Sequence, residues 1–122
     1  MARTRASAKQ AGARFERAVA DYLATTLDDD RIDRAVKRGS ADRGDISGVR
    51  VHGQRLAIEC KNTAKISLPE WTREAEVEAG NLDALAGVVV SKRHGCGDMS
   101  QQWVHCTLAD LVALISGVRR ER

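Results

Sequence analysis

A chain of 122 residues with a formal net charge of +3 and a pI near 9.0 is long enough for one hydrophobic core and too short for two. Its first residues are polar and basic with no apolar leader, and no apolar run reaches membrane-span length, which predicts a soluble, cytoplasmic protein of a bacterium or a phage-infected host. Three cysteines, Cys60, Cys96 and Cys106, form an odd set without paired spacing, which predicts reduced thiols and excludes a disulfide scaffold.

The basic residues gather at the ends. Arg3, Arg5, Lys9 and Arg14 crowd the start, and Arg119, Arg120 and Arg122 close the chain. Such ends fit a partner with a phosphate backbone, although a solubilising tail has the same composition. Residues 1–11 read as a basic arm, either disordered or a frayed extension of the first helix, ahead of a single domain over 12–122. From Gly12, residues Phe15, Ala18, Val19, Tyr22, Leu23 and Leu27 recur at helical spacing, with Glu16 beside that stripe. The Asp28-Asp29-Asp30 run stops the helix. A short strand is predicted around 32–37, then a polar loop from Arg38 to Gly44.

A hairpin follows. Residues 55–61 alternate, with Leu56, Ile58 and Cys60 on one face and Ala57, Glu59 and Lys61 on the other. A two-residue turn at His52-Gly53 pairs Val51 with Gln54 and Val49 with Leu56. Continued without interruption, that register puts Asp45 on the wrong face. One extra residue at Ser47-Gly48 brings Ile46 opposite Ile58 and Asp45 opposite Glu59, so a β-bulge is predicted there. Beyond it, Ser67 reads as the N-cap and Pro69 as the first turn of a helix running to about Ala79, with Gly80-Asn81 as its stop. Gly87–Lys92 reads as a central strand, Trp103–Cys106 as a short strand, Thr107 as a cap and Leu108–Ile115 as the last helix.

Asp45, Glu59 and Lys61 thus converge at the end of an otherwise apolar strand. Glu-x-Lys alone is a common surface pair; the hairpin register and the preceding helix with Glu16 make it more than that. Taken together, Gly12-Ala13-Arg14-Phe15-Glu16-Arg17, Arg38-Gly39-Ser40, Gly44-Asp45-Ile46 and Glu59-Cys60-Lys61 resemble the PD-(D/E)xK nuclease superfamily over roughly Gly12 to Lys92. Within it, the likeness is to the Holliday-junction resolvases of archaea and phages. Gly44 stands where the family name has proline, a variation that alters no chemical group. The resemblance implies an α/β, restriction-endonuclease-like αβββαβ core, a mixed central sheet flanked by helices. It implies that Asp45, Glu59 and the backbone carbonyl of Cys60 bind Mg²⁺ (with Mn²⁺ able to substitute), and that Glu16 completes the acidic site. Lys61 would hold the attacking water or the scissile phosphate, and Ser40 would help position the phosphate. Hard oxygen donors suit magnesium independently of any family.

Other residues carry open alternatives. Glu16 is also an ordinary helix glutamate and Ser40 a plain loop residue. Arg38, Arg43 and Lys92 read as backbone clamps or as solvated side chains. His94, Cys96, His105 and Cys106 are zinc-ligand types, but adjacent strand residues point apart. Trp71 and Trp103 read as core or dimer-contact aromatics. The expected activity is metal-dependent hydrolysis of DNA, branched or duplex, with a four-way junction as first substrate. It would serve recombination, repair or phage genome processing and require a homodimer but no small-molecule cofactor and no membrane. A flap-, nick- or single-strand-specific nuclease and a non-catalytic DNA-binding protein are the alternatives.

Overall fold

A computed structural model describes residues 3–37 and 41–121. Helix α1 spans Arg5–Thr26 and is followed by strands β1 (Asp33–Arg34), β2 (Ile46–Ser47), β3 (Arg50–Val51) and β4 (Gln54–Lys61). Then come α2 (Leu68–Leu82), β5 (Ala86–Ser91), β6 (Trp103–His105) and α3 (Leu108–Ser116). The sheet runs β1-β2-β4-β5-β6, with β3 pairing the other end of β4. All neighbours are antiparallel except β4 and β5. Those two need a crossover, and α2 supplies it. The expected α/β class and mixed sheet flanked by helices are present.

Of the two readings of the basic arm, the structure takes the helical one. Thr4 caps α1 by accepting the backbone N–H of Ser7 at 3.0 Å, so the helix begins at Arg5 and takes in most of residues 1–11. The start of α2 falls where expected, with Ser67 at the N-cap position and Pro69 in the first turn, although the Ser67 side chain makes no cap bond. Its end moves: the helix passes through Gly80-Asn81 to Leu82, where Asp83 in the left-handed region (φ 57°) ends it. Thr107 does cap α3, accepting from the Asp110 N–H at 3.2 Å.

The hairpin has the register expected of a bulge. Val51 pairs with Gln54, Arg50 with Arg55, and the Leu56 N–H donates to the Val49 carbonyl. Ile46 nevertheless pairs with Ile58, so Ser47 and Gly48 together face Ala57. Gly48 has φ +89°, and a Cβ there would lie 2.3 Å from the Arg31 carbonyl oxygen, a contact only glycine escapes. The turn at His52-Gly53 has positive φ at both residues, as a tight hairpin needs.

Each face of β4 is covered. Phe15, Val19 and Ala20 of α1 pack with Ile46, Ile58 and Val88, with Cys60 and Val90 at the margin. On the opposite face Ala57 meets Ala79 and Ala84, and Trp71 and Ala75 meet Val89. Small residues let α2 sit close to the sheet.

Candidate metal centre

Asp45, just before β2, and Glu59, on β4, are 6 % and 7 % exposed, deep burial for two carboxylates. The Asp45 N–H donates to the Ile58 carbonyl at 2.7 Å, and the Cys60 N–H donates to Asp45 Oδ2 at 2.8 Å. The bulge therefore brings Asp45 alongside Glu59. Lys37, at the far end of the β1 segment, donates to Asp45 Oδ1 at 2.6 Å. Lys61 lies 3.8 Å from Glu59 Oε2 and donates to Glu74 Oε2 of α2 at 2.6 Å.

α2 adds what the sequence reading passed over. Glu78 is 2 % exposed, and no donor reaches its Oε1. Among the described residues, Asp42, Glu59 and Glu78 offer oxygens that all lie within 4.8 Å of one another. Asp42 is fixed by the loop: its carboxylate accepts the Gly44 N–H at 2.9 Å, and its carbonyl accepts from Asn81 of α2 at 2.7 Å. Trp71, Ala75, Glu78 and Ala79 form the buried stripe of α2, so a glutamate at an inward helical position was the available signal for Glu78. Lys37, Asp42 and Glu74 carried no comparable signal.

The charges respond to this crowding. Burial, then Asp45 and Glu78, drive the Glu59 carboxyl far above the usual range. Burial and Asp42 likewise push Glu78 up to about 8. Burial also works against ionised Asp45, but Glu59, Lys37 and the Cys60 N–H outweigh it and hold that carboxyl below its ordinary value. Lys61 loses some basicity to burial and regains more from Glu74 and Glu59, so it remains an ammonium at neutral pH. Burial raises the Cys60 thiol well beyond the reactive range, as befits a core residue.

The remaining expected residues scatter. Glu16 sits on α1, across the sheet from Glu59, where it accepts from Arg34 at 3.1 Å; its charge reaches Lys37 and Cys60 but it does not join the carboxylate trio. Lys92 is turned away from a phosphate role: its ammonium donates to the carbonyls of Arg93 and Cys96. Arg3 donates to the Asn62 carbonyl at 3.1 Å, which sets the basic start of α1 beside the end of β4, and Arg5, Lys9 and Arg14 are exposed. Arg43 is exposed and lines a cavity of about 360 Å³ with Lys37, Arg50 and Arg55. Arg38, Ser40 and Arg122 lie outside the described residues. His94 and His105 are bonded to the Thr63 carbonyl and the Ser91 hydroxyl, and do not gather with the cysteines. Trp71 is core, whereas Trp103 is half-exposed under the Arg93 guanidinium at 4.6 Å.

Gly44 has a consequence that its chemistry hid. Its φ of +95° is closed to proline, and a Cβ would lie 2.9 Å from the Ile58 carbonyl oxygen. The chain enters the site by a path that a proline at this position cannot take.

No protein-family model, no curated protein and no solved structure matches this chain.

Proposed function

We propose that this chain is a Mg²⁺-dependent endonuclease of the PD-(D/E)xK kind that hydrolyses DNA phosphodiesters, with a four-way junction as its preferred substrate. The observation that carries the reading is the buried Asp45–Glu59 pair beside a Lys61 that keeps its charge. Buried carboxylates in excess of their lysine partners are a donor set for a hard cation, and Mg²⁺ needs few protein oxygens because it keeps several waters. Asp45, Glu59 and the Cys60 carbonyl would hold it. When bound, such an ion supplies an acidified water and charge neutralisation at phosphorus.

The chain's own groups supply the rest. Lys61 donates to a phosphate oxygen and offsets negative charge as it develops there, a role that needs an ammonium and not a free amine. Glu74 orients that ammonium at 2.6 Å. Arg3 beside Asn62, with Arg43, Arg50 and Arg55 around the neighbouring cavity, gives the duplex backbone positive ground on either side. Attack by water in line leaves a 5′-phosphate and a 3′-hydroxyl.

Paired cuts in a symmetric junction call for two sites, hence a homodimer. Leu108, Leu111, Val112 and Ile115 of α3 are all exposed, an apolar helix face suited to a second copy. The test incubates the protein and Asp45→Asn with synthetic four-way junction, flap and linear duplex, in magnesium or in chelator. Paired magnesium-dependent nicks in the junction, absent in the variant, support the reading. Preferential cleavage of the flap or duplex transfers it to another nuclease of this fold, and binding without cleavage by the unmodified chain rejects the enzyme.

A further inference from the structure

Hydrolysis leaves the cavity beside the carboxylates unused. Its volume of about 360 Å³ falls within the roughly 300–1,000 Å³ of sites that take a small ligand. Much of the wall is apolar: Val49 is buried, Leu56 and Leu82 are half-buried, and Val36 is 76 % exposed. An apolar side chain as exposed as Val36 has little of the protein to pack against, so it is free to meet a ligand.

The rim carries the opposite chemistry. Arg43, Arg50 and Arg55 are exposed lining residues, and Arg55 gives one of its five donors to the Leu82 carbonyl at 3.1 Å. Among the described residues, the Arg43 and Arg50 side chains have no hydrogen bond or ion pair. The one lining acid among those residues is Asp42, whose carboxylate already accepts the Gly44 N–H at 2.9 Å. Free guanidinium groups around an apolar wall select a ligand that is apolar at one end and anionic at the other.

Position narrows the class. Lys37, Asp42 and Gly44 line the cavity, Lys37 bonds Asp45 at 2.6 Å, and Gly44 immediately precedes Asp45. The cavity therefore begins where the acid pair ends. We propose that it takes one unpaired nucleotide of the DNA strand, with the base against Val36, Val49, Leu56 and Leu82 and the adjoining phosphate on Arg43 and Arg50. The inference rests on the nuclease reading and deepens it. The branched DNA preferred is one with an unpaired nucleotide beside the scissile phosphate, because such a base leaves the stack at least cost. Among the described residues no aromatic ring lines the cavity, so a free nucleotide is held weakly. A base in a strand already gripped by its phosphates arrives at high local concentration.

The test compares two four-way junctions, one fully paired at its branch point and one with a single unpaired 2-aminopurine nucleotide inserted there. Both are mixed with the full chain and with Val36→Ser in Mg²⁺, and cleavage and 2-aminopurine emission are followed by stopped flow. The unpaired nucleotide should raise kcat/KM at least tenfold, and emission should rise before cleavage as the base leaves the stack. Val36 is exposed, so its variant keeps the fold. It should cut the paired junction within twofold of the unmodified rate and lose at least threefold of the preference. Equal cleavage of the two junctions, or emission that does not rise, overturns the nucleotide site and leaves the nuclease reading standing. A preference that Val36→Ser does not change also overturns it, since the base then lodges elsewhere. Inhibition by deoxyadenosine monophosphate at concentrations matching the junction overturns the strand as occupant in favour of a free nucleotide. No cleavage of either junction, flap or duplex overturns the nuclease reading and this inference with it.

Discussion

The two faces of β4 meet opposite environments. Under α1, Ile58 lies in a hydrocarbon core with Phe15, Val19, Ile46 and Val88. Under α2, one residue along, Glu59 lies among carboxylates, flanked by alanines small enough to bring the helix close. The alternation of a strand sends consecutive side chains into opposite environments. The first face stabilises the fold. The second gathers buried carboxylates whose burial raises Glu59 and Glu78, an arrangement that hydrocarbon packing alone does not call for.

The largest effect expected from that contrast is on activity. Glu59→Gln should lower magnesium-dependent cleavage by about 10²- to 10³-fold, as loss of a positioned charge-stabilising group does. Its unfolding midpoint in chelator should not fall, because burial already keeps Glu59 protonated there and a neutral amide takes its place. Ile58→Ala, one position away, should do the reverse. It should cost about 2–5 kcal/mol in denaturant unfolding, from lost burial and the cavity left behind. Equal losses of stability in both variants would erase the contrast between the faces.

The pH dependence sharpens it. Glu78 keeps its proton up to about pH 8 in the folded chain, whereas the unfolded chain releases it near the ordinary 4.5. That proton's contribution to stability in chelator should therefore be full below about pH 4.5 and decline as pH rises toward 8. The slope is at most ~1.4 kcal/mol per pH unit for that proton. Glu59, raised further still, adds a decline of the same sign, so Glu78→Gln should lessen the fall between pH 4.5 and 8 without abolishing it. Asp45 acts in the opposite sense: its carboxyl is held below the ordinary 3.8, so its contribution is present above that value and fades as pH drops beneath it. The smallest effect on the monomer is expected at the far edge. Ile115→Lys, on the exposed face of α3, should change unfolding free energy by under ~0.5 kcal/mol. If the proposed homodimer forms through this face, sedimentation should show the variant as a monomer at concentrations where the unmodified chain sediments as a dimer.

Much of the Asp45 side of the site was legible in the residues. The alternation of 55–61, the two-residue turn and the need for a bulge at Ser47-Gly48 are local, and together they place Asp45 beside Glu59. Whether the basic arm was loose or helical was left open by the residues, and Thr4 decides it with a cap that starts the helix early. The end of α2 was misjudged because glycine at position 80 is tolerated inside a packed helix, and the left-handed Asp83 takes the stop. Glu16 carried a motif but docks across the sheet, held by Arg34. Glu78 carried none, although it stood on the buried stripe of its helix.

The sequence by itself determined the mixed α/β architecture, the bulge and the acid pair, since each follows from periodicity and hydrogen-bond register within a few residues of chain. Only the tertiary structure decided that the end of β4 lies within a larger carboxylate cluster. Asp42, Glu59 and Glu78 are separated by 17 and 19 positions, and nothing local requires them to meet. They meet because alanines at 57, 75 and 79 let α2 pack tightly on the sheet, and close packing traps whatever charge the helix carries on its inner face.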